Sequence, residues 1–153
     1  NTDFLIYLSA VFGFKNDSGN VRRPSDIDLS ATAKRINHYL KNGAKRVSIA
    51  DSQGVADADL TGRIIQGLIS RGVDPLKLEY HLHTDRIASG DKLEAAYDLG
   101  ISHIDTTLGW SGGGCTMVKA HGNFPTVEAV RRLQNHGAAT NLDLTKLDVL
   151  FCC

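Results

Sequence analysis

Apolar runs of β type alternate with runs of helical spacing along the whole chain. Phe4 to Phe12 is rich in Leu, Ile, Tyr and Val and reads as a strand, followed by a loop from Asn16 to Pro24. Leu29, Ala33, Ile36 and Leu40 then recur at helical spacing, with Ser30 as the expected N-terminal cap and Asn42-Gly43 as the stop. Val47 to Asp51 is the second strand, and Leu60, Ile64 and Leu68 form one stripe of a helix over about Asp57 to Ser70. Leu78 to His83 is the third strand and Ile87 to Leu99 the third helix, stopped by Gly100. Ile101 to Thr107 is the fourth strand. A glycine-rich loop, a helix from about Thr126 to His136 and a short amphipathic tail with Leu144, Leu147 and Leu150 complete the pattern. This order predicts an α/β fold of four parallel βα units, with no linker or domain boundary in the chain.

In parallel βα folds, ligands bind at the carboxyl ends of the strands, so polar residues there carry the first functional reading. The second strand ends Ser48-Ile49-Ala50-Asp51, the third His81-Leu82-His83, and the fourth Asp105-Thr106-Thr107. His81 and His83 stand two apart, so an extended strand turns both imidazoles to one face, within reach of one metal ion. The plainer reading is two polar residues at a strand end. Asp51 and Asp105 are either oxygen ligands beside them or caps and salt-bridge partners. The segment from Gly109 to Asn123 sets Gly109, Gly112, Gly113 and Gly114 just before Cys115, a loop able to approach a ligand closely and to present a thiol for proton transfer. Its alternative is a free cysteine in a turn. Asn123 offers an amide oxygen as a hard ligand or as a helix cap.

Composition bounds the function classes. With 153 residues, 17 Lys+Arg against 17 Asp+Glu, 42% hydrophobic and 22% charged residues, the chain falls in the range of a single folded, soluble domain. No basic run exceeds Arg22-Arg23 or Arg131-Arg132, so no nucleic-acid partner is expected. The uncharged stretch from Phe4 to Phe14 is well short of the ~20 residues of a membrane helix, and no membrane partner is expected. Three cysteines, Cys115, Cys152 and Cys153, make no disulfide framework and point to a reducing compartment. His38, His103, His121 and His136 read as structural or exposed.

Taken together, RVSIADSQGV, LEYHLHTD, EAAYDLGISHIDTTLGWSGGGC and GNFPTVEAV resemble the 3-hydroxy-3-methylglutaryl-CoA lyase family, within the metal-dependent lyase and synthase superfamily built on a TIM barrel. The resemblance covers nearly the whole chain and runs from strand five to strand eight. It implies that His81, His83 and Asn123 bind a divalent cation, Mg²⁺ or Mn²⁺, and that Cys115 and His81 are catalytic. Asp51 would stand behind the metal ligands or contact substrate. The implied reaction is metal-dependent cleavage of a carbon–carbon bond in an acyl-CoA substrate, 3-hydroxy-3-methylglutaryl-CoA, to acetyl-CoA and acetoacetate, a step of leucine degradation and ketone-body formation. The implied compartment is the cytoplasm or, alternatively, the mitochondrial matrix. Departures from the family are that neither its Asp-Arg-Glu segment on strand one nor its strands two to four have a counterpart here, that Thr116 follows the cysteine where proline is usual, and that glycines around Trp110-Ser111 lengthen the loop.

A (β/α)₈ barrel takes about 250 residues. Residues 1–153 are therefore expected to be the C-terminal half of a barrel, inert alone and completed by an N-terminal half or a second chain, with a homo-oligomer as the expected assembly. Competing expectations are a related acyl-CoA condensing synthase or metal-dependent aldolase, and a non-catalytic fragment or homologue.

Overall fold

The computed structural model describes residues 3–16, 18, 20–22, 28–84, 90–108 and 122–149. Strands β1 (Leu5–Leu8), β4 (Arg46–Asp51), β5 (Leu78–Thr84) and β6 (His103–Asp105) form a parallel sheet in the order β1-β4-β5-β6. Helices α1 (Leu29–Lys41), α2 (Ala58–Ile69) and α3 (Asp91–Asp98) alternate with these strands, so the expected parallel α/β order holds. Helices α4 (Thr126–Asn135) and α5 (Leu144–Val149) follow.

Strand alternation divides the sheet into two faces. Val47, Ile49, Leu78, Tyr80 and Leu82 pack with Ile36, Ile64, Ile65, Leu68, Leu93 and Ala96 of the helices in one buried cluster. Burying each of these large apolar side chains contributes about 1.5–3 kcal/mol, and this packing rather than helix propensity holds α1 to α3 on the sheet. The register Tyr7↔Ser48, Ser48↔Glu79 and Glu79↔His103 places the opposite residues in a polar row on the other face. Leu5 and Tyr7 on that face are half exposed. Among the described residues the sheet does not close: β1 and β6 stand at its two ends.

Several boundaries differ from the expectation. The first strand stops at Leu8 because Ala10 turns with φ 55 and its N–H donates to Ser52 Oγ, after which Val11 and Phe12 are buried in a turn. The loop after it holds a short antiparallel pair, β2 (Phe14–Lys15) with β3 (Val21–Arg22). The cap of α1 is Asp28, whose carboxylate accepts from the Ala31 N–H at 3.0 Å; the Ser30 hydroxyl instead accepts from Arg71 Nε of the α2 side. Asp57 caps α2 as its placement at the expected start suggests, accepting from the Leu60 N–H. Gly43, at φ 97, supplies the left-handed residue that ends α1. The expected start of the third helix at Ile87 lies outside the described residues, as does Leu150 of the tail.

The largest difference is a further strand. Gly122–Asn123 forms β7, which pairs antiparallel with the end of β5. Asn123 is thus a strand residue rather than a helix cap, and Pro125 occupies the cap position of α4.

Candidate metal centre

Strand β5 is the central element of the site. It is paired by β4 on one side and β6 on the other, which fixes the direction of its side chains. His81 and His83 share the open face of the sheet, with ring centroids 5.0 Å apart and the two Nε2 atoms at 2.9 Å. The register His81↔Asp105 sets a carboxylate beside the first ring, and Asp105 Oδ2 lies 2.6 Å from His81 Nδ1. A carboxylate can only accept, so Nδ1–H of His81 donates to it and Nε2 keeps its lone pair on the side facing His83. The Tyr7 ring stands edge-on to His81 at a centroid distance of 5.3 Å and braces the imidazole from β1.

The third candidate ligand arrives through β7. The register His83↔Asn123 places the two residues opposite each other, and Asn123 Oδ1 is buried with no hydrogen-bond partner. A buried amide oxygen left unpaired costs about 1–3 kcal/mol. Among the described residues no three His, Cys, Asp or Glu side chains gather into a metal cluster. The available set is two imidazoles and an amide oxygen. That set fits a divalent cation in two respects. Two donors about 2.1 Å from one ion at a right angle lie about 3.0 Å apart, and the two imidazole nitrogens stand at 2.9 Å. The orphaned amide oxygen on the neighbouring strand would find in such an ion the partner it lacks.

Asp51 is placed differently from the other candidates. Its side chain is fully buried and its oxygens are already engaged: Oδ1 accepts from the Val55 N–H at 2.9 Å, and Oδ2 from the Ala56 N–H at 3.2 Å and Lys92 Nζ at 2.7 Å. Asp51 belongs to the helix-facing side of β4, by the same alternation that turns Val47 and Ile49 to the core. It holds the loop after β4 and a lysine rather than facing the open side of the sheet. Cys115 lies outside the described residues, as does His121. Of the other histidines, His103 is in β6, its pKa lowered first by burial and then by Arg46. His136 pairs with Asp98 at 2.8 Å, which raises its pKa, and His38 is exposed at the end of α1.

Two participants escaped the sequence reading, Tyr7 and Lys92. Lys92 is buried on α3 with Leu93 and Ala96. The one signal it offers is a lysine four residues before Ala96, on the stripe that should be apolar.

A family model described as HMGL-like matches residues 17–150. The chain belongs to the HMGL-like family. Among its curated relatives, the (R)-citramalyl-CoA lyase of Chloroflexus aurantiacus is 27% identical over 72% of this chain and 34% of its own length. The hydroxymethylglutaryl-CoA lyase of Bacillus subtilis is 24% identical over 92% of this chain and 44% of its own. The crystal structure of hydroxymethylglutaryl-CoA lyase from Pseudomonas aeruginosa superposes with a TM-score of 0.78 at 27% identity, over 95% of this chain and 46% of that one. This HMGL-like chain therefore spans less than half the length of each of these relatives. Its parallel α/β sheet is part of the fold of these lyases.

Proposed function

We propose that the protein is a divalent-metal-dependent carbon–carbon lyase that cleaves 3-hydroxy-3-methylglutaryl-CoA to acetyl-CoA and acetoacetate. The observation that carries this reading is the convergence of His81 Nε2 and His83 Nε2, beside a strand that brings a buried, unpartnered Asn123 Oδ1. These three residues would hold the ion, Mg²⁺ or Mn²⁺. When bound, such an ion supplies Lewis acidity toward the hydroxyl and carboxylate oxygens of the substrate.

The chain's own residues supply the rest. Asp105 holds His81 in the tautomer that keeps Nε2 available, and Tyr7 restricts the rotation of its ring. Cleavage requires a proton to leave the substrate hydroxyl and another to reach the carbon of the departing thioester enolate. Cys115 is assigned to the second transfer; His81, with Nδ1–H on Asp105 and Nε2 directed to the ion, has no free lone pair for the first and would serve it by holding the ion that acidifies the hydroxyl. Asp51 acts from behind the site by holding its surroundings in place.

Among the described residues the sheet ends at β1 and β6, which supports a further part of this reading. The chain is the C-terminal half of a (β/α)₈ barrel, completed by its N-terminal half or by a second chain in a homo-oligomer, and is inert alone. A reducing compartment, the cytoplasm or the mitochondrial matrix, accords with a working thiol at Cys115.

Titration of the intact protein with Mn²⁺, beside His81→Ala, tests the metal centre, and turnover of 3-hydroxy-3-methylglutaryl-CoA tests the reaction. Equal Mn²⁺ binding by the two proteins refutes the centre. A second reading, cleavage of a citramalyl-CoA substrate, is favoured by the likeness to the Chloroflexus enzyme; higher kcat/KM on citramalyl-CoA in the same assay selects it. A Cys115→Ser protein with full turnover would instead favour a condensing synthase or aldolase.

A further inference from the structure

The buried pair of Asp51 and Lys92 has no part in the proton transfers above, yet among the described residues it is the most deeply buried pair of opposite charges: the Lys92 side chain is 4% exposed and that of Asp51 0%. Burying two charges is a poor route to stability, because the desolvation cost cancels most of the attraction and an apolar pair of similar volume does as well. The ammonium makes a second bond that an apolar residue could not. Lys92 Nζ donates to the backbone carbonyl of His83 at 2.5 Å as well as to Asp51 Oδ2 at 2.7 Å.

The position of that carbonyl matters. The ladder between β5 and β4 ends at Leu82↔Asp51, and the ladder between β5 and β6 ends at His81↔Asp105. His83 therefore lies past the last rung of both parallel ladders. Its backbone is held by the two-residue pairing with β7 and by Lys92. Asp51, fixed by the N–H groups of Val55 and Ala56, holds the ammonium in turn.

We propose that Lys92 is a positioning residue that orients His83 for metal binding, by tying the His83 carbonyl to the rigid end of β4 through Asp51. This rests on the metal centre proposed above and assigns it a supporting residue on α3. The positive charge so close to a cation site is offset by Asp51, so the pair contributes a strong donor at no net charge.

The test compares the intact wild-type protein, Lys92→Met, and the double variant Asp51→Asn/Lys92→Met. The double variant leaves no unpaired buried charge, and its amide keeps an acceptor for Val55, so it retains the fold where the single variant loses it. Mn²⁺ affinity is read from the free-ion signal in electron paramagnetic resonance, and the number of imidazole nitrogens on the ion from spin-echo modulation. The expected result is a thermal midpoint near that of wild type without metal, an Mn²⁺ affinity about 10- to 100-fold lower, and one imidazole nitrogen in place of two. A folded double variant that binds Mn²⁺ as tightly as wild type, through two imidazoles, overturns the role of Lys92 and leaves the metal centre standing. A wild-type protein that binds no Mn²⁺ overturns both.

Discussion

Replacing Asp105 by Ala separates metal affinity from stability. The carboxylate lies 2.6 Å from His81 Nδ1, and with it gone the imidazole can move its proton to Nε2, the atom that faces His83 at 2.9 Å. Loss of such a partner behind a ligating histidine lowers metal affinity by about 10- to 100-fold, or about 1.4–2.7 kcal/mol of binding free energy. The effect on folding should be far smaller. The Asp105 side chain is 46% exposed against 15% for His81, so solvent screens the pair and its contribution to stability is within about 1 kcal/mol. For a chain of this length that is a shift of about 2–4 °C in Tm. Calorimetric titration with Mn²⁺ and thermal denaturation without metal read the two quantities on the same samples. Wild-type Mn²⁺ affinity in Asp105→Ala would refute the assignment of His81 as a tautomer-fixed ligand; a collapse of the metal-free fold would refute the screening argument.

Three further outcomes follow from the geometry. Asn123→Ala should weaken Mn²⁺ binding by about tenfold or more while leaving metal-free stability unchanged or higher, since the substitution removes an unpaired buried oxygen; calorimetry checks both. Tyr80→Phe deletes a fully buried hydroxyl 3.3 Å from Thr61 Oγ1 and should cost about 1 kcal/mol in urea denaturation at neutral pH. Burial, and then the charge of Asp51, hold the Tyr80 pKa well above 10.0. The native state therefore keeps Tyr80 neutral while the unfolded chain ionises it, so wild-type stability should fall as pH rises above 10.0, and the variant should lack that part of the loss. In Gly90→Ala the new Cβ would land on the Arg132 side chain, which cannot swing away freely because it is bonded to Asp91 and Glu94 at 3.1 Å and to Glu128 at 3.2 Å. Overpacking there should cost about 1–3 kcal/mol in chemical denaturation; a neutral effect would show the α3–α4 contact to be loose.

The order of strands and helices, the helix-facing stripes and the common direction of His81 and His83 were legible without any coordinates. Each is a local property: periods of 3.6 and 2.0 hold wherever the chain is helical or extended. Helix ends were partly legible. Asp57 capped α2 where the pattern put its start, but Asp28 displaced Ser30 on α1, because both stood near the same turn and only the packed geometry turned the serine to Arg71. The loop from Asn16 to Pro24 hid β3, which pairs with β2 just before it, both strands too brief to leave a period.

The site was determined at a different level. Its residues could be nominated from strand ends, but their partners depend on register and packing between segments far apart in the chain. Asp105 reaches His81 across 24 residues because two parallel strands align at that rung, and Asn123 stands opposite His83 because β7 turns back antiparallel. Lys92 reaches Asp51 across 41 residues because α3 docks its stripe over the end of β4. Asp51 shows the limit most clearly. Its place at a strand end suggested an active role, and only the tertiary structure decided that it points to the helices, buried and fully bonded. Sequence by itself determined the periods and the residue types, since these are carried by neighbours along the chain. Which polar groups meet was decided by the folded sheet, where one step of register separates a ligand from a core anchor.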